Sequence, residues 1–405
     1  MKARSLWRRH DEQWREPGQV ISHWRDGDRV DPTLLACRAQ GAWWETLARA
    51  GVTLLLTREY EHLVMAVRSR GGRPRVSFMP LPHPSGLVAD RERGVVHVAS
   101  TRNPNEVFEL RPARGVPPRG DPRGEASAEE TVLIPGRSRF FPGRSYIHDL
   151  AVIGGDLYAA SSGQNAIIRL SGGDAPRPAW WPRCIETPRG PVFERNHLQL
   201  NSIAAGETLK ESFFSASTDR MTRLRPGHLG FPVDGRGVIF SGRTRDPVAR
   251  GLTRPHSARL HRGRVWVDNS GYGELGFVED GRFVAVARLP GWTRGLCFKG
   301  DVAFVGTSRV IPRFEAYAPG LDPARSLCGV HAVDLRSGRI LGSLLWPNGN
   351  QLFAVDWIPG ALARGFPFGP GSGHGPRSRS RLFYAFSTSP SGRRRMGKKV
   401  GVAVL

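Results

Sequence analysis

The sequence predicts an all-β protein built as a single β-propeller, with six blades preferred and five to seven compatible with the spacing. Three observations predict it. Short apolar runs with period-two patterning alternate with Gly-containing turns, this plan returns at several places along the chain, and helix-period patterning is scarce outside a few short segments. A lone hairpin cannot bury its apolar face, so the recurrence points to stacked or radial sheets. A two-sheet sandwich would also use the strands, but it makes no use of the repeated openings.

In chain order, residues 1–30 read as an N-terminal arm, with a small amphipathic helix through Trp7 and Trp14 as one way of arranging it. "GAWWETLARA", 41–50, predicts a short helix, and "VTLLLTREYEHLVMAV" after it turns strand-like and opens a first repeat. Five similar pieces follow: "HPSGLVADRERGVVHVAS" from His83, "IHDLAVIGGDLYAASS" from Ile147, "NHLQLNSIAAGETLKESFFSAST" from Asn196, "PHSARLHRGRVWVDNSG" from Pro255 and "TRGLCFKGDVAFVGTSRV" from Thr293. Each starts with a polar group beside an apolar run, turns at a Gly, and continues in a second run. "CGVHAVDLRSGRILGSLL", 328–345, is expected to be a final repeat. The propeller is thus expected over 31–360, with a mobile insertion at 111–130, rich in Pro, Gly and charge, and a low-complexity basic tail over 361–405 lying mostly outside the body.

Composition narrows the function classes. The chain of 405 residues carries a formal charge of +23, yet only five of its 59 basic residues are lysines. Its arginines are dispersed over turns and strand edges, whereas a dedicated nucleic-acid binder gathers charge on one face or helix, so specific nucleic-acid binding is not expected. Cys37, Cys184, Cys297 and Cys328 form no CxxC pair, which suggests free thiols in a reducing compartment. No uninterrupted apolar span of about 18 residues occurs and the N-terminus lacks a signal-like apolar stretch, so a soluble, cytoplasmic protein with no membrane partner is the expectation. Dinucleotide fingerprints, phosphate loops and zinc-protease helix motifs are all absent from the sequence.

The segments "PHSARLHRGRVWVDNSGYGELG", "LPGWTRGLCFKGDVAFVGTSRV", "CGVHAVDLRSGRI" and "AVDWIPG", in that order, closely resemble the family of bacterial conserved hypothetical proteins known by the number 03032, also treated as a domain of unknown function. The likeness is strongest over about 145–360. It implies a propeller-like fold and supplies no reaction. Where the family pattern has a His before Leu-Asn-Gly, this chain has Gln199, with His197 two residues upstream, and the family's Glu near the last strand is replaced by Gln351.

In a propeller the first strand of every blade lines the central channel, so polar residues at strand starts converge although they lie far apart in sequence. His83, His148 with Asp149, His197 with Asn201, His256 with Ser257, and Arg294 form the expected set. One arrangement is a divalent metal held by His148, His197 and His256, with Asn201 as an oxygen ligand and a bound water serving hydrolysis. A metal-free arrangement uses His148 or His256 as acid or base, oriented by Asp149, while Arg294, Asn201, Ser257 and His83 bind a small or extended anionic ligand. Purely structural roles are open as well: Asp149 as a turn cap, Ser257 as a turn hydroxyl and Arg294 as a salt-bridge partner. Trp180, Trp181 and Phe193 either wall a pocket or fill the core. A non-enzymatic scaffold that grips a protein partner is the competing function.

Overall fold

The computed structural model describes residues 30–70, 73–101, 105–114, 130–172, 176–228 and 230–370. Six antiparallel sheets stand around one axis. Blade II comprises β5 (Pro84–Asp90), β6 (Val95–Ser100), β7 (Asn105–Ala113) and β8 (Val132–Phe141) from the axis outward. Blade III is β9 (Ile147–Ile153), β10 (Asp156–Ser161), β11 (Ala166–Arg169) and β12 (Arg177–Trp180), and a small hairpin, β13 (Glu186–Thr187) with β14 (Gly190–Pro191), follows it. Blade IV is β15 (Leu200–Ala204), β16 (Phe213–Ala216), β17 (Gly237–Ser241) and β18 (Pro247–Leu252), and blade V is β19 (Pro255–His261), β20 (Arg264–Asn269), β21 (Glu274–Glu279) and β22 (Arg282–Arg288). Blade VI holds β23 (Trp292–Lys299), β24 (Val302–Ser308), β25 (Gly329–Asp334) and β26 (Ile340–Leu345).

The ring closes twice. Blade I takes its innermost strand, β27 (Ala354–Pro359), from the far end of the propeller and sets it beside β2 (Val52–Arg58), β3 (Leu63–Arg70) and β4 (Arg73–Pro80). At the other end, β1 (Arg38–Gly41) adds to the outer edge of blade VI by pairing with β26. The segment 328–345, expected as a repeat of its own, therefore supplies the outer half of blade VI. Closure of both ends by distant strands leaves the six-bladed ring without an unpaired seam between its first and last blades.

Local chemistry explains the elements. Asp280-Gly281 joins β21 to β22 with both residues in the left-handed region, φ 49° and 76°, which matches the twist of paired strands. Every residue of β2 is buried, because blade VI packs on the face with Leu54 and Leu56 and blade II on the face with Leu55. The helix expected over 41–50 is α2 (Trp43–Ala50), after the single-turn α1 (Pro32–Leu35), and its Trp43 lies fully buried edge-on to Phe304 of blade VI. Trp180 is core, tilted on Phe214 at 4.1 Å and donating from Nε1 to the Gly242 carbonyl.

The body also runs past residue 360. Ala363 and Phe366 are buried against blades I and II, Leu133 N–H donates to the Gly365 carbonyl, and Phe368 bridges Phe78. Residues 111–113 belong to β7. The expected helix in the first 20 residues, the bulk of the 111–130 insertion and the tail after 370 lie outside the described residues. Among the described residues no helix is long and apolar enough to cross a membrane, and all four cysteines are free.

Candidate functional site

Four inner strands are entered through a residue with left-handed backbone: His83 (φ 42°), Tyr146 (46°), Gln199 (48°) and Arg254 (54°). None is glycine, so each carries a local cost that the surrounding blade must offset. Two positions further on stand Ser85, His148, Asn201 and His256, with Arg294 and Phe353 in the corresponding places of blades VI and I. The inner strands of blades II to VI carry a register shift at or just after these positions, which bends the strand.

Four of these side chains meet. The Phe353 ring lies 5.4 Å from His148 and 5.5 Å from His256, whose own rings are 6.1 Å apart. Arg294 covers the face of Phe353 at 4.1 Å, stacks on Trp292 at 4.9 Å, and reaches His256 Nε2 from Nη2 at 3.2 Å. Phe353 thus forms an apolar floor with two imidazoles and a guanidinium around it. A second buried arginine, Arg254, lies over Tyr317 at 4.0 Å and donates to Gln199 Oε1 at 2.5 Å and to Ser217 Oγ at 3.4 Å. Tyr317 belongs to an aromatic group with Phe314, Trp292 and Tyr60, carried largely by the long connection between β24 and β25.

The electrostatics follow from burial. Arg254 and Arg294 are each 5% exposed and, among the described residues, neither is in a salt bridge. Burial brings both guanidinium groups down to about 10, which leaves them charged at neutral pH, and the Glu59 carboxylate supports Arg294 only from longer range. His148 is lowered to about 3 by burial first and by Arg294 and Arg254 next, and His256 is held well below its usual value for the same reasons. Both imidazoles are therefore neutral beside two cations. His148 is only half-buried. Its Nδ1 has no partner, nor do Arg294 Nε, Asn201 Oδ1 and Gln351 Oε1.

The structure brings together His148, His256 and Arg294 and places the other expected residues elsewhere. His197 stands on the segment before β15, where its backbone N–H donates to Asn165 Oδ1. Among the described residues no three His, Cys, Asp or Glu side chains are grouped to hold a metal, so the set His148, His197 and His256 is not assembled. Two adjacent guanidinium groups further oppose a divalent cation there. Asp149 does not orient His148: its carboxylate takes Arg259 Nη1 at 2.6 Å and Nη2 at 3.1 Å, and accepts from Ile203 N–H at 3.0 Å, on the opposite side of the strand. It latches blade III to blades IV and V. Ser257 is 2% exposed and its oxygen accepts from Gly295 N–H at 2.6 Å, so it stands behind the ring. Asn201 donates to the Pro255 carbonyl at 2.9 Å. His83 stays at the rim, its ring 4.3 Å from that of His62.

Sequence reasoning missed Arg254, Phe353 and Asp268. Arg254 occupies the place of His83, Tyr146 and Gln199 in the repeats, which was a usable signal. Asp268, fully buried opposite His256 across β19 and β20, showed only as an acid within the apolar run "VWVDN". A separate cavity of about 560 Å3 opens between blades II and III, lined by Arg93, Arg111, Arg137 and Arg139 among others. It lies away from the channel ring, and Asp90 and Glu109 already pair with Arg93 and Arg111 there.

The geometry can be set against known proteins. The family model for Domain of unknown function (DUF4915) matches residues 41–364. The chain belongs to that family. Membership covers nearly the whole described body of this DUF4915 protein and leaves the number 03032 unconfirmed. No curated protein matches the sequence. Among solved structures, a nidogen/laminin complex is similar with a TM-score of 0.50 and 10% identity over 76% of this chain and 98% of that one. A gluconolactonase from Xanthomonas campestris (TM-score 0.39, 13% identity, 74% and 86% covered) and a putative oxidoreductase (glucose dehydrogenase) from Thermus thermophilus (0.41, 16%, 76% and 100%) are more distant. At these identities the likeness shows the propeller fold alone.

Proposed function

We propose that this DUF4915 protein binds a small oxyanion, a carboxylate or a phosphate, in the central channel above Phe353. The observation that carries the proposal is the pair of buried, charged arginines, Arg254 and Arg294, with no carboxylate in contact and two neutral imidazoles beside them. Buried charge without a close counter-charge is costly, and an anion that supplies one recovers that cost. Arg294 offers an unpartnered Nε–H, and its planar fork suits two oxygens of one ligand. His148, neutral and without a hydrogen-bond partner on Nδ1, is the proton acceptor nearest the bound group in this reading.

Metal-assisted hydrolysis finds no support in the arrangement of these side chains. A scaffold for a protein partner has no specific observation in its favour either: the exposed large apolar side chains, such as Phe140, Leu224, Val284 and Ile340, are spread over different blades and connections.

Isothermal calorimetry with inorganic phosphate and with small mono- and dicarboxylates tests the proposal. Saturable binding to the wild type is expected, weakened at least about tenfold in Arg294→Gln, the loss typical of removing a charge-assisted hydrogen-bonding group. A folded wild type that binds none of these anions at millimolar concentration would overturn it.

A further inference from the structure

We infer that the cavity between blades II and III is a second binding site, which takes a small ligand carrying a diphosphate group between Arg137 and Arg139. It shares no residue with the channel and stands independently of the anion site proposed there. The cavity opens where the apolar packing of the two blades runs out. Val107 and Phe141 of blade II share an apolar cluster with Leu150, Ile168 and Leu170 of blade III. Ala99 and Val107 are cross-strand partners, and Arg139 ends their row on β8. The next row on the same face is polar throughout, with His97, Glu109 and Arg137 side by side. The third strand of blade III, β11, has four residues where β7 has nine, and the polar row lines the cavity.

The carboxylates at this cavity already have partners. Asp90 accepts from Arg93 at 2.9 Å, Glu109 from Arg111 at 2.7 Å, and Asp156 pairs with Arg169 at 2.7 Å. Arg137 and Arg139 are left over, and among the described residues neither is in an ion pair. Five guanidinium groups, Arg169 included, thus surround three carboxylates, an excess of two positive charges that a dianion would neutralise. Arg139 is held by neutral contacts alone: Nη1 donates to the Leu170 carbonyl at 2.7 Å, and the guanidinium lies 5.2 Å from the Phe141 ring. It is positioned while its charge stays uncompensated.

Arg137 and Arg139 stand two apart on one strand, with backbones about 7 Å from each other, and both line the cavity. Two phosphoryl groups joined by one oxygen fit such a pair, each presenting two oxygens to one planar fork, whereas a single carboxylate engages only one. The space of about 560 Å3 exceeds a bare diphosphate, and Val107, Leu157 and Phe141 offer an apolar wall to an organic remainder. His97, half-buried on the far side of Glu109 from Arg137, adds an imidazole to the lining.

NMR titration of the 15N-histidine-labelled full chain with inorganic pyrophosphate reads this site apart from the channel, because His97 lines the cavity while His148 and His256 belong to the channel ring. The His97 resonances, assigned by His97→Gln, are expected to shift saturably, with an affinity for pyrophosphate at least about tenfold above that for orthophosphate. Arg139→Gln and Arg137→Gln are each expected to weaken this binding at least about tenfold. Arg137 is exposed, so Arg137→Gln serves should Arg139→Gln fail to fold. Arg262→Gln, which removes an exterior guanidinium, is expected to leave the affinity unchanged. His97 resonances that pyrophosphate does not move, equal affinity for the two anions, an affinity indifferent to both Arg137→Gln and Arg139→Gln, or an equal loss in Arg262→Gln would overturn the inference. Shifts of His148 and His256 report on the channel alone, so either site can fail while the other stands.

Discussion

His148, half-buried, and His256, buried, are held as neutral imidazoles, and this fixes the sign of one pH effect. Their pKa values are lowered on folding, so between about 6.5 and the folded values the unfolded chain binds more protons than the native one. Stability is therefore expected to fall as the pH drops below 6.5, with each histidine contributing up to about 1.4 kcal/mol per pH unit over that window. His148→Gln should flatten the slope of denaturation free energy between pH 6 and pH 4, and an unchanged slope would count against burial of a neutral His148. Asp149 gives a contrasting prediction. As an inter-blade latch it should, when replaced in Asp149→Ala, cost about 3 kcal/mol of stability by leaving Arg259 unpaired, while anion affinity of the folded fraction stays near wild type. Urea denaturation and phosphate calorimetry on the same variant check both halves. The residues legible in the sequence were those at repeated strand starts, which is why His148, His256 and Arg294 could be named. Asp268 and Phe353 could not, since cross-strand pairing and the late closing strand decide their places. The expected role of Asp149 failed for a simple reason: adjacent residues on a strand face opposite sides, so a His-Asp dipeptide does not bring its two side chains together.

The inner strands approach one another so closely that side-chain size is a structural variable. A Cβ added at Gly86 of β5 would lie 2.6 Å from the Asp149 Cα of β9, with backbone rather than a flexible side chain in the way. Gly86→Ala is accordingly expected to destabilise by about 2 kcal/mol or more through overpacking, read as a lower urea midpoint. The strands themselves were readable because apolar runs and Gly-containing turns act locally. The assignment of 328–345 to blade VI was not, because a repeat boundary depends on which strand starts at the axis. Residues 361–369 show the same limit. Gly and Pro give this stretch the look of a tail, but Phe366 is 5% exposed and inserts beside blades I and II. Phe366→Ala should cost about 3 kcal/mol, as removal of a buried aromatic ring does elsewhere. Differential scanning calorimetry would detect the change, and an unaltered melting temperature would place this segment outside the cooperative body.

For the whole molecule, six blades gather side chains that lie far apart in the chain into one ring. Closure from both ends completes the ring, and the inner-strand starts of blades V and VI enclose the two buried arginines, Arg254 and Arg294. Among the described residues, the dispersed arginines of the sequence include exterior ones in ion pairs, such as Arg262 with Asp301 and Arg264 with Glu279, and two, Arg254 and Arg294, that are buried in the ring without a salt bridge. Net charge alone could not distinguish them. The most direct measurement is anomalous diffraction from crystals equilibrated with selenate, an oxyanion of phosphate-like shape. The account predicts a selenium peak in the channel within hydrogen-bonding distance of the Arg294 guanidinium, lost in Arg294→Gln. Selenium peaks confined to exterior arginines, with none in the channel of the wild type, would contradict it.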